Sequence, residues 1–131
     1  MIGVDTNVLV RHLVHDDPSQ VARVDSFFAD RSIADPAYVS LICLVETTWV
    51  LGRRYGFTAE VVTRTIQDLL DVEEVVIQAP DVVRRALRDA SVAGTAFADS
   101  VIAQLGIDAG CDYTVTFDRK AADLPGMLLL E

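Results

Sequence analysis

Short apolar runs alternate along this chain with longer stretches whose apolar residues recur every three or four positions. The first kind predicts buried strands and the second amphipathic helices. Residues 1–4 are apolar and end on Asp5, which predicts a buried strand breaking into a helix capped by Asp5 or Thr6 and ending near His15. Val21, Val24, Phe27 and Phe28 fall at helical spacing and predict a second helix over 19–31. A brief strand at 38–40 leads into a very apolar helix over 41–55, expected to be buried nearly all round and to place Trp49 in the core. Thr58 caps a helix running to about Asp71, and 75–77 is a strand. Pro80 sits near the first turn of a helix that Ala93-Gly94 breaks. Phe97 opens a further helix over 97–106, for which Gly106 need not be the end, and strands follow at 112–117 and 127–130.

Strands apolar on both faces and separated by helices predict a three-layer α/β/α sandwich around a central, mostly parallel sheet. The 131 residues are one domain's worth, with no internal repeat or linker, so 1–131 is expected to be a single domain. A chain of this size buries roughly two-thirds of its unfolded surface, enough for a core without staples.

The composition, 51% apolar and 24% charged, excludes a disordered or low-complexity chain. Cys43 and Cys111 lie far apart, which excludes a disulfide framework and a cysteine-built zinc site; their apolar neighbours mark both as reduced packing residues. No run is long enough to span a membrane and no basic segment precedes an apolar one at the start, so a cytoplasmic protein without a signal peptide is expected. The net charge of −9 argues against binding nucleic acid by charge neutralisation alone.

The placement of the acids changes that picture. Asp5 and Asp118 fall at the carboxyl ends of predicted strands, where open parallel sheets hold their ligands. Glu46 is the only charged side chain between Pro36 and Gly52, and in a buried helix it needs a partner; Arg53 and Arg54 are the nearest bases. Asp99 lies at a helix start, where capping is the ordinary explanation, and Asp118 suits an Asx turn. A parallel sheet would let all four converge. Four ionised carboxylates need a counter-charge, for which Mg²⁺ or Mn²⁺ with oxygen ligands is the usual solution. Such a site lowers the pKa of bound water and clamps the oxygens of a phosphodiester.

The runs Val4-Asp5-Thr6-Asn7, Leu44-Val45-Glu46, Phe97-Ala98-Asp99-Ser100 and Thr116-Phe117-Asp118-Arg119 together resemble the PIN-domain nucleases, and within them the VapC-type toxins of toxin–antitoxin pairs. The motifs stand in the family's order across essentially the whole chain. The resemblance implies a Mg²⁺- or Mn²⁺-dependent endoribonuclease, a homodimer, and a cognate antitoxin whose C-terminal segment covers the active site. It puts the catalytic acids at Asp5, Glu46, Asp99 and Asp118, with Asp5 and Asp99 as principal metal ligands and Asp118 completing a second position. Thr6, Asn7 and Thr116 match supporting polar positions. One departure is Arg119-Lys120-Ala121-Ala122, where many relatives carry an aromatic residue.

Within that scheme Glu46 orients a water or acts as base, its proton affinity raised by burial. RNA needs positive contacts, and Arg11 and Arg119 are the first candidates because they lie nearest the acids in sequence; Arg53-Arg54 and the stripe Arg84, Arg85 and Arg88 come next. His12 and His15 are expected to be surface residues. Two other readings remain open on the residues alone. One is a phosphatase or receiver-like α/β metal-binding domain, which the single lysine, Lys120, disfavours; the other is a non-catalytic partner-binding module, which the intact acid set disfavours.

Overall fold

Local capping chemistry sets most of the element boundaries. The computed structural model describes all residues, 1–131, which divide into two compact units, Met1–Gln78 and Ala79–Glu131.

In the first unit the order is β1 (Ile2–Gly3), α1 (Thr6–Leu13), α2 (Pro18–Ala29), β2 (Ala37–Val39), α3 (Leu41–Tyr55), α4 (Ala59–Leu70) and β3 (Val75–Ile77). Asp5, Asp17, Ser40 and Thr58 each accept a backbone N–H at the start of the helix that follows. Gly56, at φ 68°, ends α3 in the left-handed conformation that glycine adopts without steric cost. The strands pair in parallel in the order β1-β2-β3, with Ile2 opposite Ala37 and Val39 opposite Ile77. Leu9, Val39, Leu44 and Leu51 are almost wholly buried. Between helices, Arg11 donates to Gln20 at 2.6 Å, to Asp16 at 3.2 Å and to the Tyr55 hydroxyl at 3.2 Å, and that hydroxyl donates to Asp16 at 2.6 Å.

The second unit contains α5 (Pro80–Ala93), α6 (Phe97–Asp108), β4 (Thr114–Thr116), a 3₁₀ turn at Ala121–Asp123 and β5 (Met127–Leu129). β4 and β5 pair in parallel, Thr114 opposite Met127. Ala103, Ala121 and Leu124 form a small core against Ala93 and Met127. α5 and α6 are joined by a polar network centred on Gln104, which is only 5% exposed: it accepts from Arg85 Nε at 2.9 Å and donates to Asp89 at 2.6 Å, while Arg85 also grips Asp108.

Several expectations about burial need correction. β1 is exposed, whereas β3, the other edge of the same sheet, buries Val75 and Ile77; β4 and β5 are half-open, with Val115 and Leu128 exposed. Cys43 is buried as expected, but Cys111 is exposed in the turn after α6. α3 is not buried all round. Leu44, Thr47 and Leu51 are covered, whereas the opposite stripe of Ile42, Glu46, Trp49 and Arg53 faces solvent, with Trp49 59% exposed beneath the Arg53 guanidinium. His15 is exposed, but His12 is half-buried and stacked on Phe28 at 3.9 Å.

A Cβ on Gly106 would collide with the Thr114 hydroxyl, so α6 runs through a glycine where β4 lies close against it. Gly106→Ala is therefore expected to lower stability by about 1–3 kcal/mol in urea denaturation, although alanine is the better helix former by about 1 kcal/mol. Adding Thr114→Ala should restore most of the loss; a single variant as stable as the parent would contradict the close approach.

Candidate functional site

Asp5 stands where β1 breaks into α1, and its Oδ1 accepts the Thr6 N–H at 2.8 Å. The Thr6 hydroxyl donates to Glu46 Oε2 on α3 at 2.8 Å, so one buried threonine ties together carboxylates far apart in sequence. Asp5 and Glu46 are both exposed, which corrects the expectation that Glu46 is buried. The physical reason is its place on the open stripe of α3, with Ile42 and Trp49 to either side. Arg53 and Arg54 are not its partners: their guanidinium groups lie over the rings of Trp49 and Tyr55 at 4.8 and 5.9 Å. Beside this pair is the Cys43 thiol, which spacing alone did not mark as part of the site. Burial pushes its pKa up and the negative charges of Asp5 and Glu46 add to that, opposed by the polar hydroxyls of Thr6 and Thr47 beside it.

The second unit holds the other two acids. Asp99 is the third residue of α6, and it is not the cap; that position is Ala96, which has no capping side chain. Burial, and then the negative charge of Asp118, raise the Asp99 carboxyl above its ordinary value. Asp118 forms the expected Asx turn, its Oδ1 accepting the N–H groups of Lys120 at 2.9 Å and Ala121 at 3.1 Å. Thr116 supports it, its hydroxyl accepting the Asp118 N–H at 3.0 Å. Asn7 is exposed on the first turn of α1.

The structure thus brings together Asp5 with Glu46, and Asp99 with Asp118, one pair in each unit. None of the four forms an ion pair with a lysine or arginine of this chain. Of the cationic candidates, Arg11 is committed to Asp16, Gln20 and Tyr55, while Arg119 is exposed and has no carboxylate partner. In the arginine stripe, Arg85 is bound to Asp108 and Arg88 lies 3.8 Å from Asp89.

Carboxylates without cationic partners are the donor chemistry that Mg²⁺ and Mn²⁺ take. No three histidine, cysteine, aspartate or glutamate side chains are grouped closely enough to hold a metal ion by themselves. A pair of carboxylates still fits a hard divalent cation, which commonly keeps several of its own waters.

A family model described as PIN domain matches residues 2–127, a span that contains all four acids. No curated protein matches the chain. Helices and parallel strands within that span are consistent with the three-layer α/β/α fold expected from the sequence.

The electrostatics of Asp99 predict a stability effect of defined sign. Its folded pKa lies above its unfolded one, so its stabilising contribution is present below the ordinary carboxylate range and is lost as pH rises through the raised value. Asp99→Asn removes that loss. In calorimetry with EDTA at pH 7 its melting temperature should exceed the parent's by about 2 °C, with the advantage vanishing near pH 3. A lower melting temperature at pH 7 would contradict the charge repulsion.

Proposed function

Since this chain belongs to the PIN domain family, whose members are generally metal-dependent nucleases, we propose that it is a Mg²⁺- or Mn²⁺-dependent endoribonuclease, the VapC-type toxin of a type II toxin–antitoxin pair. The observation that carries this reading is the set of Asp5, Glu46, Asp99 and Asp118, all within the matched span and none neutralised by a base of this chain.

In this reading Asp5 and Asp99 are the principal ligands of the cation and Asp118 supplies a further oxygen. A divalent ion held there supplies charge stabilisation for a phosphodiester under attack and a nucleophile near neutral pH. Glu46, fixed by the Thr6 hydroxyl, orients the attacking water and accepts its proton; its exposure leaves it open to solvent and substrate. Thr6 positions both acids of the first unit, through its N–H and its hydroxyl. Arg119 is the better contact for an RNA phosphate, since its guanidinium is uncommitted, whereas Arg11 would have to leave Asp16 and Gln20. A cognate antitoxin with a basic or aromatic segment, a homodimeric state and a cytoplasmic location complete the proposal.

Purified protein should cleave RNA with Mn²⁺ or Mg²⁺ and stop when EDTA is added. Asp5→Asn and Asp99→Asn should each lose at least about a hundredfold in rate while keeping the parent's circular dichroism spectrum. Cleavage that persists in EDTA, or a fully active Asp5→Asn protein, would overturn the assignment.

A further inference from the structure

The unit Met1–Gln78 contains a cleft of about 460 Å³ that neither carboxylate pair lines. A volume of that size suits a small organic ligand. Its apolar lining comes from Phe28 on α2, Leu69 on α4, the following Val72, and Val75 on β3.

Two carboxylates open onto the same space, Asp25 from α2 and Glu74 from the residue before β3. Neither is paired with a lysine or arginine. Glu74 has no ion-pair partner, and Asp25 has only His12 Nδ1 at 3.8 Å and His15 Nε2 at 3.4 Å. The single arginine lining the cleft, Arg31, is turned away to Asp35, which lies outside the lining and also binds the Met1 ammonium, at 2.8 Å in each case, and its guanidinium lies 4.6 Å from the centre of the Phe27 ring. Burial lowers the pKa of His12 from its usual value, against the opposing pull of Asp25. The cleft therefore presents two carboxylates without lysine or arginine partners beside an apolar, aromatic surface.

That combination selects among ligand classes. An anion is repelled, and a neutral apolar molecule would desolvate both carboxylates without replacing their hydrogen bonds. A cation with a flat apolar body satisfies both demands, through charge-assisted hydrogen bonds at one end and aromatic contact at the other. We infer that this cleft binds an amphipathic organic cation of the aryl amidine or guanidine class, its charged head on Asp25 and Glu74 and its body against Phe28, Leu69 and Val72. The inference is independent of the nuclease reading.

Benzamidine, titrated into the full chain with EDTA at pH 7.5, is the probe, followed by the backbone amide signals of Ala29, Val72 and Val75. Saturable shifts at these residues are expected, weakened about tenfold by Asp25→Asn and by Glu74→Gln, and about tenfold weaker for the neutral isostere benzamide. Asp5→Asn should leave them unchanged. Dispersed amide spectra establish that each variant is folded. Equal binding of benzamide, shifts that vanish in Asp5→Asn but survive Glu74→Gln, or no saturable shift with millimolar benzamidine would each overturn the inference.

Discussion

Helix α1 begins where the Asp5 carboxylate closes on the Thr6 N–H, and the Thr6 hydroxyl then reaches Glu46 on α3, each at 2.8 Å. One residue therefore joins the end of a strand, the start of a helix and the middle of a second helix. The cap satisfies a backbone donor that helix formation would leave unpaired. The hydroxyl contact fixes Glu46 in place without neutralising it, because a threonine donates a hydrogen bond but carries no charge. Two carboxylates are held close by a neutral tie, and their negative charge stays available.

The treatment of the other charges follows the same division. Arg11, Arg31 and Arg85 are bound to aspartates of their own unit, and Arg53 and Arg54 lie over aromatic rings. The Arg85 contact braces α5 against α6 and Arg11 also reaches α2 and α3, while the Arg31, Arg53 and Arg54 contacts are local; none reaches Asp5, Glu46, Asp99 or Asp118. Where Asp118 is stabilised, the donors are backbone N–H groups, which again leave its net charge intact. Asp99, half-buried and beside Asp118, bears the cost as a raised pKa. Such a cost is typical of positions kept for chemistry or binding rather than for stability.

Element boundaries were legible in the sequence because they are decided locally. Ser40, Thr58, Gly56, Pro80 and Gly94 act on the turn in which they stand, and the helices over 41–55 and 80–93 start and stop there. Exposure was not legible in the same way. The apolar run around Glu46 implied burial on all sides, yet only the Leu44, Thr47 and Leu51 stripe is covered. Composition counts apolar side chains, whereas burial depends on which of them another element reaches. Gln104 shows the reverse case: a polar residue in an apolar helix whose burial depends on Arg85 and Asp89 from a different helix.

By itself the sequence determined the helix and strand order and the parallel character of the strand pairing, since these rest on short-range patterns and residue chemistry. Tertiary structure alone decided which acids are neighbours: Thr6 links Asp5 to Glu46, and Asp99 feels the charge of Asp118. It also decided that Arg11 is committed elsewhere and that Glu46 and Trp49 are open to solvent. The reason is physical. A cap or a turn is satisfied within a few residues of chain, but the surroundings of a charge are set by side chains that arrive from distant positions once the elements have packed.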